Sequence, residues 1–189
     1  MKQQWKPGTM IYPLPAVLVS CGATPEEYNL LTVAWTGTVS SEPPMCYVSI
    51  RRERHSYDII RRNMAFVINL TTEDLARATD WCGVRSGRQY DKFAEMGLTP
   101  VPARLVQAPI VDEAPVNIEC RVREIISLGS HDMFLAEVVN VQADDRYLDP
   151  GSGKLDLAAA RPLVYNHGKY YGLGQEIGKF GWTVEKKNK

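Results

Sequence analysis

Three arginines, Arg51, Arg52 and Arg54, run directly into His55 and Ser56. Guanidinium groups are planar, permanently charged forks that hold phosphate oxygens bidentately, and the histidine and serine add short-range donors. The residues that follow predict a helix beginning at Ser56, with Ser56 as its N-cap. The backbone N–H groups of Tyr57 and Asp58 and the positive end of the helix dipole would then meet the same anion. Upstream, Thr32 to Thr38 alternates small, β-branched and aromatic residues around Trp35. That is the pattern of a strand edge able to hydrogen-bond the polar rim of a flat ring. An anion clamp beside such an edge is what a mononucleotide-like cofactor needs, although a basic turn facing only water carries the same charge pattern.

Other reactive residue types are less organised. Cys21, Cys46, Cys82 and Cys120 lie far apart, with no C-x-x-C pair and no zinc-type spacing. Cys46 and Cys120 read as buried thiols in strands. Cys82 reads as a more accessible thiol in a glycine-containing loop, with no neighbouring base to make it a nucleophile. Leu18-Val19-Ser20-Cys21 has the look of a lipoprotein cleavage site, but Pro13 and Pro15 break the apolar helix that such a leader requires, so Ala16 to Cys21 is expected to be the first strand. Gly172 to Gly178 imitates a dinucleotide fingerprint without the helix, strand and acidic residue that should follow, and these glycines are expected to form turns.

The elements that must carry these groups are mostly strands. Ala16 to Cys21, Leu30 to Gly37, Met45 to Ile50 and Ala65 to Leu70 are rich in β-branched or aromatic residues. Short helices are expected over Ser56 to Asn63, Thr72 to Ala78 and Gln89 to Glu95, the last stopped by Gly97. The proline-rich stretch from Pro100 to Pro115 reads as an extended surface connection. Val116 to Ser127 and Met133 to Ala143 form a long hairpin with the polar tip Leu128 to Asp132. Short strands over Leu163 to Asn166 and Lys169 to Leu173 are expected to complete the sheet, and Glu185 to Lys189 is expected to be a frayed, solvated end. Antiparallel strands without βαβ alternation predict a closed or split barrel.

The 189 residues suffice for one domain, residues 1–189, with a substantial core, and 44% of them are apolar. Lys plus Arg and Asp plus Glu both number 22, so there is no net basic field to attract nucleic acid or an anionic membrane. No run approaches the ~20 apolar residues of a membrane span. The expected location is cytoplasmic.

The segments Asn29-x-x-Thr32-Val33-Ala34-Trp35, Ser41-x-Pro43-Pro44 and Ser49-Ile50-Arg51 to Ser56 resemble the flavin reductase-like family, whose FMN-binding split barrels include the flavoredoxins. The likeness continues through Ser86-Gly87, Asp91-Lys92-Phe93, Ser130-His131-Asp132 and Arg161-Pro162-Leu163 to Tyr171-Gly172. It implies a mainly β, antiparallel split β-barrel of Greek-key type with a few short inserted helices. It also implies that Asn29 and the backbone of Thr32, Val33, Ala34, Trp35 and Thr36 line an isoalloxazine edge. Ser49, Arg51, Arg54 and Ser56 would then surround a ribityl phosphate, Ile50 would be a cofactor-binding position beside them, and Lys92 would be a further flavin contact. His131 corresponds to a histidine near the flavin or nicotinamide side, the candidate catalytic group. His55 and His167 carry no such expectation. Tyr165, Tyr170 and Tyr171 would shield a flavin face across a homodimer interface. The implied cofactor is FMN, with FAD as an alternative and NAD(P)H as electron donor, and the implied activity is an NAD(P)H:flavin oxidoreductase delivering electrons to an acceptor. A flavoredoxin-type carrier reduced by a partner protein, or a barrel binding another flat anion without catalysis, are the competing readings.

Overall fold

The computed structural model describes residues 1–184, so the expectation for Glu185 to Lys189 lies outside the described residues. In chain order the strands are β1 (Leu14–Pro15), β2 (Val17–Cys21), β3 (Asn29–Val33), β4 (Thr36–Ser41), β5 (Pro44–Ile50), β6 (Ala65–Leu70), β7 (Pro100–Pro102), β8 (Pro109–Val111), β9 (Val116–Ser127), β10 (Asp132–Ala143), β11 (Val164–Asn166) and β12 (Lys169–Tyr171). The α-helices are α1 (His55–Asn63), α2 (Ala76–Val84) and α3 (Lys92–Met96).

Seven strands form one antiparallel sheet in the order β3-β2-β6-β9-β10-β5-β4. Its two edge strands, β3 and β4, are consecutive in the chain and joined only by Ala34 and Trp35. Laid flat, the sheet would put those edges about 29 Å apart at ~4.8 Å per strand. The link from Val33 to Thr36 reaches at most about 11 Å fully stretched. The sheet must therefore roll up, and its seam falls at Ala34–Trp35. One apolar core confirms the roll: Val17 and Val19 of β2, Leu31 and Val33 of β3, Val48 and Ile50 of β5, Phe66 of β6 and Phe134 of β10 pack together with Tyr57 and Ile60 of α1. The fold is a mainly β, antiparallel split barrel with short inserted helices, as the sequence implies.

Period-two alternation explains how β2 can be buried throughout. Val17, Val19 and Cys21 point into the barrel, while Leu18 joins Leu30, Leu75, Phe93 and Val111 in a second core between the barrel wall and α2 and α3. The proline-rich stretch is not a surface connection: β7 and β8 pair as a hairpin, and Ala108, Ile110, Val111 and Ala114 are buried. Apolar residues between the prolines supply that burial.

Other boundaries shift for local reasons. The expected strand Leu30 to Gly37 is divided by the bend at Ala34–Trp35, and the helix expected over Thr72 to Ala78 is a single 3-10 turn, Glu73–Leu75, leading into α2. Cys82 consequently lies in α2, where it is buried rather than accessible. The helix expected from Gln89 starts at Lys92 because Asp91 caps it, its carboxylate accepting from the Phe93 and Ala94 N–H groups, and Gly97 ends it in the left-handed conformation at φ 62°. The C-terminal strands β11 and β12 do not complete the barrel; they pair with β1 in a separate three-stranded sheet. Among the described residues no helix is long and apolar enough to cross a membrane.

Candidate functional site

Among the described residues the seam leaves one edge of β3 unpaired with any strand, so main-chain N–H and C=O groups are presented there. A cavity of about 190 Å³ opens beside it, lined by Leu31, Thr32, Val33, Ala34, Trp35, Ser49, Ile50, Arg51, Arg54, His131 and Tyr165. Elements distant in sequence meet here because β10 pairs with β5, setting Met133 opposite Ser49 and Asp132 opposite Ile50. That register brings His131 to the same rim as Arg51. His131 shares a hydrogen bond with the Ser130 Oγ at 2.9 Å, and burial, reinforced by the Arg51 charge, holds its imidazole below the ordinary histidine range.

A second cavity, about 230 Å³, shares Leu31 and Arg54 with the first. Its wall carries the cations Arg54, Arg85 and Lys92, with His55 and Ser56 of α1, Asn29, Ser86 and Gly87, and a single carboxylate, Glu53. Helix α1 directs its N-terminal first turn at this space. Arg54, in extended conformation, holds the N-cap position and Ser56 lies inside the helix, so the expected cap is displaced by two residues. The Ser56 hydroxyl is instead fixed by the Asn29 Nδ2, which donates to it at 2.6 Å. The Ser86–Gly87 turn lies against Asn29 and His55 so closely that a Cβ on Gly87 would collide with the Asn29 Oδ1, which only glycine avoids.

Lys92 is the most informative group in the wall. It is 4% exposed, and its ammonium donates to the carbonyls of Leu30, at 2.8 Å, and Cys82, at 2.7 Å. An ammonium has three donors, so one remains, on a side chain that lines the cavity. Burial pushes its pKa down to about 8, and among the described residues no carboxylate acts on it. A buried cation with no counter-charge among the described residues, beside a cavity walled by two more cations and a helix N-terminus, matches the donor set of a phosphate site.

The three arginines of the turn separate. Arg52 turns away from both cavities: its Nε and Nη2 donate to Asp132 at 3.0 and 2.9 Å, and Nη2 also reaches the Ser127 Oγ at 3.1 Å. The Tyr57 hydroxyl donates to the same Asp132 carboxylate, and these bonds, Arg52 first, lower its pKa to about 2. The Arg52–Asp132–Tyr57 unit ties the basic turn to the end of the β9–β10 hairpin. Arg51 is half exposed and pairs loosely with Glu53 at 3.6 Å. Arg54 spans the two cavities and donates to the Gly83 carbonyl at 3.2 Å.

The expected residues thus divide between two adjoining spaces. Thr32, Val33, Ala34, Trp35, Ser49, Ile50, Arg51, His131 and Tyr165 line the seam, whereas Asn29, Ser56 and Lys92 line the cationic cavity with Arg54. Thr36 is outside both, its hydroxyl donating to the Tyr47 carbonyl, and Tyr171 is exposed on β12. Arg85, together with Cys82, reaches the wall only because α2 packs on β3. The Ser86-Gly87 pair belonged to the pattern of resemblance, but nothing local announced a role.

The flavin reductase-like domain model matches residues 9–174, and the chain belongs to that family. The flavoredoxin of Desulfovibrio vulgaris (Miyazaki F) superposes with a TM-score of 0.90 at 32% identity, covering 98% of this chain and 100% of that one. The flavoredoxin of Methanosarcina acetivorans superposes with a TM-score of 0.88 at 25% identity, covering 98% of each chain. The FMN reductase (NADH) RutF of Pseudomonas syringae pv. syringae is 28% identical over 143 residues, 74% of this chain and 68% of that protein.

Proposed function

We propose that this member of the flavin reductase-like family holds FMN, with the ring system against the seam and the phosphate in the cationic cavity. The observation that carries the reading is Lys92, a buried ammonium with a spare donor and no counter-carboxylate among the described residues, at the wall of a cavity that joins a free strand edge through Leu31 and Arg54. Its fit to an organic phosphate is one of charge and of donors, since Arg54, Arg85 and the first turn of α1 face the same space. The β3 edge supplies main-chain donors and acceptors for the polar rim of the ring, and Trp35 and Tyr165 bound its faces. When bound, the flavin supplies hydride acceptance at N5 and transfer of electrons onward.

The protein's work is then positional. Arg51 and Arg54 attract and orient the anion, the Arg52–Asp132–Tyr57 unit keeps their turn in place, and His131, largely neutral near pH 7 because its pKa is lowered, offers a hydrogen bond at the ring end. Next to the seam, and sharing Trp35 and Ser49 with it, an apolar space of about 280 Å³ under Met10, Ile11 and Tyr12 leaves room for a planar electron donor or acceptor. NAD(P)H is the proposed donor. Exposed Trp5, Met10 and Ile11 at one end of the chain and Ile177, Phe180 and Trp182 at the other favour a homodimer in which these segments cover a second copy. Light scattering after size exclusion tests this directly: a monomeric mass defeats it.

A carrier reduced by a partner protein is the second reading, favoured by the likeness to flavoredoxin over nearly the full chain. The absorbance spectrum of the purified protein, followed by anaerobic addition of NADH or NADPH, separates the readings. Bleaching of a bound yellow chromophore by nicotinamide supports the reductase, and a yellow protein that stays oxidised supports the carrier. A colourless protein that takes up no added FMN removes both.

A further inference from the structure

Lys92 is the one buried lysine among the described residues; Lys2, Lys6, Lys154, Lys169 and Lys179 are exposed. Two fixed acceptors hold its Nζ, the carbonyls of Leu30 at 2.8 Å and Cys82 at 2.7 Å. When the group loses a proton, the amine keeps two N–H donors for those two carbonyls. Its lone pair then takes the direction that the third N–H held. The neutral amine is therefore satisfied and oriented without any rearrangement. Burial lowers the pKa of the group to about 8, whereas an ordinary lysine, near ~10.4, is almost wholly protonated at that pH. A desolvated lysine next to other cations is an activated nucleophile.

What this amine can attack is set by the cavity it lines. A volume of about 230 Å³ lies below the ~300–1,000 Å³ of sites for drug-sized ligands, so a molecule held wholly inside is small. Arg54, Arg85 and the first turn of α1 make it an anion. An electrophile that carries its own phosphate meets both conditions. In an acyl phosphate a single oxygen separates the carbonyl carbon from phosphorus, so a phosphate seated on the arginines brings the reactive carbon into the cavity with Nζ. The same cations stabilise the negative charge that develops on the attacked carbonyl and on the departing phosphate. Cys82 also lines the cavity, but burial pushes its thiol up to about 11, so the competing thiolate is scarce.

We propose that Lys92 is an acylation site for small acyl phosphates, and that its acylation switches off flavin binding; the inference rests on the cationic cavity being the seat of the flavin phosphate. The step balances. The lone pair on Nζ forms a bond to the acyl carbon, the bond from that carbon to the phosphate oxygen breaks, and its electron pair leaves on inorganic phosphate, which also takes the proton shed by nitrogen. The resulting amide has one N–H and no charge. A bound anion thereby loses its buried cation, and the acyl group takes up space in the cavity.

Acetyl phosphate tests this on the full-length protein, freed of flavin by dialysis, with acetylation followed peptide by peptide by mass spectrometry. At about pH 8.5, Lys92 is expected to be acetylated at least about fivefold faster than Lys154 or Lys169. Added FMN should remove that preference, and so should replacing acetyl phosphate by N-hydroxysuccinimidyl acetate, which brings no phosphate to the cavity. The acetylated molecules should bind FMN at least about tenfold more weakly than the parent. A smaller ratio with acetyl phosphate, or an equal preference for Lys92 with the reagent that lacks a phosphate, overturns the proposal. Failure of the underlying placement is distinguishable: FMN would then leave the acetylation of Lys92 unhindered, and FMN affinity would be indifferent to Lys92→Met.

Discussion

Glu119 and Lys92 are both buried charges without an oppositely charged partner among the described residues, and they differ in what surrounds them. Glu119, fully buried on β9, accepts hydrogen bonds from the Arg104 and Leu105 N–H groups and from the side-chain amides of Asn140 and Gln142. Burial alone would raise its pKa, but these four donors more than offset it and the net shift is downward. Lys92 has two carbonyls and a cavity, and its shift goes the way desolvation drives it. A charge satisfied by neutral dipoles on every side stabilises a fold. One left under-satisfied beside an open space is prepared for a ligand.

Removing each charge should expose that difference. Glu119→Leu strands four donors and is expected to cost about 3–5 kcal/mol in urea unfolding, with flavin affinity intact in the molecules that fold. Lys92→Met should do the reverse, leaving stability unchanged or raised and weakening FMN about 10- to 100-fold in a fluorescence titration. If both variants lose stability alike, the contrast between the two charges fails.

The pH dependence sharpens the contrast. Lys92 has a lowered folded pKa of about 8, so its ammonium form is disfavoured by folding but favoured by a bound anion. FMN affinity should hold below pH 8 and fall as pH rises above it, by up to about tenfold per unit, and Lys92→Met should flatten that slope. Unfolding free energy without ligand should meanwhile rise between the folded pKa and the ordinary lysine value, because the unfolded chain binds the proton more tightly there. A smaller effect separates the arginines: Arg54→Ala should weaken FMN about tenfold and Arg51→Ala only about two- to threefold, since Arg51 is half exposed and engaged with Glu53. Equal losses would return Arg51 to the phosphate itself.

Much of this was legible in the sequence because it was local. The Gly97 stop of α3, the β9–β10 hairpin and the strand β2 each follow from residues within a few positions of one another, whereas the Asp91 cap, which starts α3 at Lys92 and not at Gln89, falls in the interior of the helix expected from the sequence. The family likeness, carried by ordered segments along nearly the whole chain, is confirmed by the matching domain model. What stayed hidden depends on distant partners. Nothing near Arg52 says that Asp132, eighty positions on, will claim it while Arg51 and Arg54 face the cavities. Nor does the run Asn29 to Thr36 announce that Asn29 sits by the cationic wall and Thr32 to Trp35 by the seam. Arg85 came to light only when α2 packed against β3.

The most direct test compares FMN with riboflavin, which differ by the phosphate alone, on the parent protein and on Lys92→Met. The expected result is that the parent prefers FMN by at least about tenfold and that the variant loses most of this preference. Equal affinity for the two ligands in the parent, or a preference for FMN that survives without Lys92, would contradict the placement of the phosphate in the cationic cavity.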